Sequence, residues 1–183
     1  MGKTFFKAAA DVTETLEEVK SKYHKELHDY KVRFGVLMVM SHKEGVPALT
    51  FKGHPAAATV HVVSLKDRVV KNYDVEILID ADHWKASNDM QKRALLDHEL
   101  SHVTLKKRKA KGDDDGAEEG REIVDEDDLG RPKIKMVHGD YDVGDGFLHI
   151  IRRYGDDSIE LKNFKDLTNI ITHIDQDDES ESE

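Results

Sequence analysis

The chain has no cysteine, which excludes disulfides and thiolate metal sites and leaves His, Asp, Glu and water as the available metal donors. Only 3 of its 183 residues are proline, so helices and strands run with few obligatory breaks. No apolar run approaches the length needed to span a bilayer. The opening Met1-Gly2-Lys3-Thr4-Phe5-Phe6-Lys7 has two lysines but too short an apolar stretch for a secretory signal. These absences favour the cytoplasm. Basic residues are also outnumbered: the net charge is -10, which opposes nonspecific binding to nucleic acid, since that depends on neutralising phosphates. With 38% apolar and 36% charged residues, one modest core is expected, with part of the chain left outside it.

What is present is His98-Glu99-Leu100-Ser101-His102, an H-E-x-x-H pattern in a segment of helical character. Two histidines four residues apart share one face of a helix and can reach one metal ion. The glutamate between them projects beside that ion, where a general base is needed. Asn88 and Gln91 have the spacing of a capping box, and no Pro or Gly interrupts Ser87 to Lys111. Met90, Ala94, Leu95 and Val103 supply apolar positions to bury the helix. The pattern implies a metal-dependent hydrolase, most plainly a zinc peptidase. The alternative is an amphipathic helix with two exposed histidines. The basic run Lys106-Lys107-Arg108-Lys109-Ala110-Lys111 follows the motif and suits a helix C-terminal dipole or, alternatively, a phosphate-binding patch.

Around this motif the periodicity predicts a helix over 11–30, with Leu16, Val19, Tyr23, Leu27 and Tyr30 as its apolar stripe and an Asp11–Glu14 capping box. Buried strands are predicted over 32–40, 58–65 and 75–80, and the Gly/Pro-rich segment 41–55 reads as a loop or wide hairpin connection. An acidic loop, expected to be mobile, covers about 112–128. Strand character returns over 131–137. A short helix over 146–154 is closed by Gly155. Residues 158–174 read as a strand or a helix pair, and 175–183 as a disordered acidic tail. The order predicts an α+β fold: one domain over 1–174, with a sheet of three or four strands packed against an N-terminal helix and the H-E-x-x-H helix.

A catalytic zinc takes three protein ligands and a water, so His98 and His102 need a third partner. Arg108 stands where a metzincin would have its third histidine. Spacing leaves Glu118, Glu119 and Glu122, then His138, then Asp140 and Asp142, with His149 as a weaker choice. A calcium loop over 140–151 fails, because Gly144, Asp145 and Ile151 stand at the fifth, sixth and twelfth places.

The stretch Leu95-Leu96-Asp97-His98-Glu99-Leu100-Ser101-His102-Val103 is followed by Asp128-Leu129-Gly130-Arg131-Pro132-Lys133, then His138 with a nearby aspartate, Phe147, and Arg153-Tyr154-Gly155. With Trp84 shortly after the strand that precedes the motif, this combination resembles the phage metallopeptidase family, small proteins similar to the SprT-like zincins, over roughly residues 30 to 155. The resemblance implies a zincin-like fold, zinc as cofactor, a peptide or protein substrate, Glu99 as general base, and His138 as third ligand beside His98 and His102. One departure is that Gly139 separates His138 from Asp140, where relatives place the aspartate directly after the histidine. Asp97 is expected to orient a ligand histidine or to be a solvated helix charge. Tyr141, Tyr154 and the nearby arginines are open choices for a second oxyanion donor. Residues 58–65 are a candidate edge for pairing an extended substrate. Two further readings stand beside the peptidase: a non-catalytic, zinc-stabilised acidic protein that binds a host factor, and amide hydrolysis in cell-wall peptide.

Overall fold

The computed structural model describes residues 2–112, 118–137, 147–162 and 164–165. Residues 113–117 of the predicted loop over about 112–128, and the predicted tail at 175–183, lie outside the described residues. The expected α+β class holds, with a four-stranded mixed sheet at its centre.

The chain enters through β1 (Lys3–Lys7), continues into α1 (Ala10–Tyr23) and α2 (Lys25–Asp29), and returns as β2 (Phe34–Ser41). A small hairpin follows, β3 (Thr50–Phe51) and β4 (His54–Pro55), then β5 (Ala58–Val62), α3 (Leu65–Lys71) and β6 (Val75–Asp80). The sheet order is β1-β2-β6-β5; β2 and β6 run parallel, and both outer pairings are antiparallel. β1 was not anticipated: Phe5 and Phe6 are exposed, so its sequence carries no buried alternation, and its pairing with β2 defines it.

The predicted helix over 11–30 is two helices. Ala9, not Asp11, is the N-cap of the first, and no side chain caps it. The break falls at His24, whose backbone leaves the helical region. Of the predicted stripe, Leu16, Val19 and Leu27 are buried, with Val12 beside them, whereas Tyr23 is half-buried and Tyr30 is exposed. The buried residues meet Val36, Met38, Val60, Ile77 and Ile79 from one face of the sheet, and Leu95, Leu96 and Leu100 from the motif helix. Val39 faces the other way, onto Ala48 and Leu49.

The end of β6 positions the motif. Asp80 caps α4 (Ala81–Ala86) by accepting the N–H groups of Asp82 and His83 through Oδ1, while Oδ2 takes the N–H of Ala48. Trp84 is buried at this corner. Asn88 then starts α5 (Asp89–Ser101) with the predicted capping box: Gln91 N–H donates to Asn88 Oδ1 (2.8 Å) and Asn88 N–H to Gln91 Oε1 (3.1 Å). Such a cap contributes about 1 kcal/mol.

No Pro or Gly interrupts the sequence up to Lys111, yet the chain turns at His102 into β7 (Val103–Leu105) and β8 (Lys107–Lys109). The basic run is therefore strand. Three of its charges meet carboxylates, with Lys107 on Glu26 (2.9 Å) and Lys106 and Arg108 near Asp125, which Lys133 also approaches. β8 pairs with β9 (Glu122–Val124), which lies inside the stretch expected to be a mobile acidic loop. β10 (Ile134–Met136) pairs with β7 in a separate antiparallel ladder rather than joining the central sheet. α6 (Leu148–Tyr154) ends at Gly155, as expected, followed by the 3-10 turn Gly155–Asp157 and a helical turn at 159–162. Among the described residues no helix is long and apolar enough to cross a membrane.

The Gly-Arg-Pro segment is fixed by buried charges. Arg68 of α3 and Asp74 and Asp127 are buried, and Arg131 is nearly so. Arg68 Nη1 reaches Asp127 Oδ2 (3.3 Å), and Arg131 Nη1 approaches Asp74 Oδ1 (3.5 Å). Asp127 Oδ1 also accepts the N–H groups of Leu129 and Arg131, tightening the turn that contains Gly130. Burial pushes the Asp127 carboxyl up, but those N–H groups and the Arg131 and Arg68 charges outweigh it and hold it below the ordinary carboxylate range.

Leu96 is 0% exposed, so Leu96→Ala is expected to cost about 2–5 kcal/mol of unfolding free energy in urea titrations. Val70→Ala, at an 85% exposed position, should stay within about 0.5 kcal/mol of the parent. For Asp127, a folded pKa below the unfolded value means that its stabilisation is complete above about pH 4 and is lost as pH falls through the folded value. Asp127→Asn should therefore unfold about 3 kcal/mol more easily at neutral pH, with the gap to the parent narrowing below about pH 4. A gap independent of pH would contradict this account of the turn.

Candidate metal centre

α5 brings His98, Glu99 and His102 into the interior, next to the start of β7. Glu99 is 4% exposed and His102 7%. The two imidazoles point toward each other, with His98 Nε2 and His102 Nε2 3.3 Å apart.

Both rings are held from behind. His102 Nδ1 lies 2.8 Å from the carbonyl oxygen of Val137, and the Val137 N–H donates to the His102 carbonyl (2.8 Å). A carbonyl only accepts, so Nδ1 of His102 carries the hydrogen. His98 Nδ1 lies 2.7 Å from Glu160 Oε1, and a carboxylate there accepts in the same way. In the neutral imidazoles each Nε2 then presents a lone pair to the other. Two lone pairs at this separation need a proton or a metal cation between them. Nitrogen ligands on tetrahedral zinc, at about 2.0–2.1 Å from the ion, stand about 3.3–3.4 Å apart, so the pair fits two adjacent ligands of such a site.

The local field favours a cation. Burial opposes charging His98, but the Glu160 hydrogen bond and the nearby Glu99 carboxylate outweigh burial and hold its pKa above the ordinary imidazole value. Phe147 closes the site on one side. Its ring centroid is 5.0 Å from that of His98 and 4.9 Å from that of His102, edge-on to both. Its φ of 24° lies in the region that L residues avoid, so packing holds it there against a local cost.

Asp97 does not orient a ligand histidine, nor is it a solvated charge. It is buried on another side of α5, where His24 Nε2 donates to Oδ1 (2.6 Å) and Arg153 Nη1 to Oδ2 (2.7 Å). Burial raises its pKa, and the His24 and Arg153 hydrogen bonds more than reverse that. The break between α1 and α2 places His24 here, and the Arg-Tyr-Gly motif contributes Arg153, so one carboxylate ties both flanking elements to α5. His149 is aimed at Ser101 rather than at the histidine pair. Ser101 Oγ donates to the Asp97 carbonyl (2.8 Å) and so accepts from His149 Nε2 (2.9 Å). Tyr154 packs with Ala94, Phe147 and Ile150 and against the Tyr23 ring.

Of the remaining third-ligand candidates, His138, Asp140 and Asp142 lie outside the described residues, as does Tyr141. Glu118, Glu119 and Glu122 are exposed in and beside β9. Among the described residues, no group of three or more His, Asp or Glu could by itself hold a metal ion. Sequence reasoning missed Glu160, the Val137 carbonyl and the contact of Phe147 with both rings. Only Phe147 had a signal, as part of the family resemblance.

The α+β chain thus presents two imidazoles, each supported from behind, at the end of a capped helix. The family model described as putative phage metallopeptidase matches residues 4–171, and the chain belongs to that family. The family's description implies a metal cofactor and a peptidase activity. The match extends beyond the 30–155 suggested by the motifs and takes in β1 and Glu160. No curated protein and no solved structure matches the chain.

Removing Arg153 leaves the buried Asp97 with His24 as its other side-chain partner. Arg153→Ala is expected to lower stability by about 3 kcal/mol in thermal or urea unfolding. The exposed neighbour serves as control: Arg152→Ala should change little. Equal effects would show that the Asp97 clip does not hold α6.

Proposed function

We propose that this chain is a zinc-dependent metallopeptidase in which His98, His102 and His138 hold the metal and Glu99 is the general base. The observation that carries the reading is the 3.3 Å approach of the two Nε2 atoms, with both Nδ1 atoms engaged elsewhere. His138 is supported by chain continuity: it directly follows Val137, which is bonded through both its carbonyl and its N–H to His102. Zinc, when bound, supplies Lewis acidity that brings the pKa of water down to about 7. Glu99 takes a proton from the water that attacks the scissile carbonyl and passes it to the departing amine. Burial around Glu99 strengthens every charge interaction of that transfer. Among the described residues β5 is the outer strand of the sheet beside β6, and the reading has an extended peptide pair along it.

One observation favours a second reading. Phe147 packs against both rings and covers one side of the pair, as in a metal site that stabilises a fold. In that case the chain is a zinc-stabilised acidic protein whose activity is to bind a host factor.

Metal analysis of the purified protein should find about one equivalent of zinc, and His98→Ala should lose it. Glu99→Gln should retain zinc while cleavage of an unfolded protein substrate falls by about 100-fold or more. Absence of metal in the parent under non-chelating conditions would remove the site. A Glu99→Gln protein that cleaves like the parent would remove the assigned base. A parent that binds zinc and cleaves no peptide would leave the binding reading.

A further inference from the structure

Glu160 lies 62 residues beyond His98 in sequence, on the helical turn at 159–162, yet its Oε1 is 2.7 Å from His98 Nδ1. The contact is shielded: both side chains are 13% exposed. The other oxygen, Oε2, is buried and has no hydrogen-bond partner among the described residues. Burying a carboxylate oxygen away from water is costly. The fold nonetheless commits this carboxylate to the back of one imidazole. Ile159, next to it, packs against the main core, and Ser158 is buried and bonded to the Gly155 carbonyl, so the turn that carries Glu160 is anchored.

We infer that Glu160 is a positioning residue for the metal: it fixes the His98 ring with Nε2 forward and makes that nitrogen a stronger donor. The inference rests on the zinc reading above and extends it to a residue that the H-E-x-x-H pattern does not contain. The physical basis is general. A carboxylate accepting Nδ1–H fixes the tautomer, restricts ring rotation and increases electron density at the opposite nitrogen. His102 is supported differently, by a neutral carbonyl, so the two ligands are not equivalent. Of the two, His98 depends on a side chain and is the one that mutation can weaken from behind. Glu160 lies within the family match, toward its C-terminal end. The metal site therefore draws on a segment well separated from the motif.

The test is zinc affinity, measured on the full chain by competition with a chromophoric chelator, alongside the absorption spectrum of the cobalt-substituted protein. Glu160→Ala is expected to weaken zinc binding by about 10- to 100-fold and to alter the cobalt ligand-field bands. Glu160→Gln can still accept the Nδ1–H through its amide oxygen, so it should recover part of the loss. Melting of the metal-free proteins separates positioning from folding. A purely structural Glu160 would lower the metal-free midpoint and leave the affinity for zinc unchanged, which overturns the inference. So does a Glu160→Ala protein that binds zinc as tightly as the parent. If the parent itself takes up no zinc, or His98→Ala takes up as much as the parent, the metal reading fails, a result distinct from failure of Glu160 alone.

Discussion

Two imidazoles a helical turn apart can face one another closely only when something holds each ring from the far side. Here the supports differ in kind. His102 is held by a backbone carbonyl that is itself locked into an antiparallel pairing, and His98 by a carboxylate from the C-terminal part of the chain. Their effect is the same, because both Nδ1 atoms are occupied and both Nε2 atoms point inward. The position of β10 beside β7, the seating of the turn at 159–162 and the packing of Phe147 all bear on this one pair of rings.

The helix carrying the pair is fixed on several sides. Leu95, Leu96 and Leu100 join the core formed by the sheet and α1. Asp97, buried on another side, collects His24 from the break between α1 and α2 and Arg153 from α6. A buried carboxylate with two donors is not a cheap way to gain stability, since desolvation offsets much of the attraction. Its geometric consequence is clear: it sets where α6 lies, and α6 follows directly on Phe147.

Charge is managed similarly elsewhere. The Arg68, Asp74, Asp127 and Arg131 cluster fixes the turn between β9 and β10, and so fixes where β10 begins. The Gly-Arg-Pro motif therefore reads as architecture for the strand that leads to Val137. Within the basic run after the motif, Lys107 pairs with Glu26, and Lys106 and Arg108 approach Asp125.

The amino-acid order alone determined the features that depend on near neighbours: the Asn88–Gln91 cap, the spacing of His98 and His102, the alternation of β6, and the end of α6 at Gly155. Each is governed by contacts within a few residues, where periodicity and capping chemistry are decisive. Only the tertiary structure decided that β1 is a strand, that the first helix breaks at His24, that α5 stops at Ser101, and that Glu160 stands behind His98. Those outcomes depend on partners tens of residues away. A lone glutamate in a short amphipathic turn looks like any surface carboxylate until folding brings a ring nitrogen within hydrogen-bond distance.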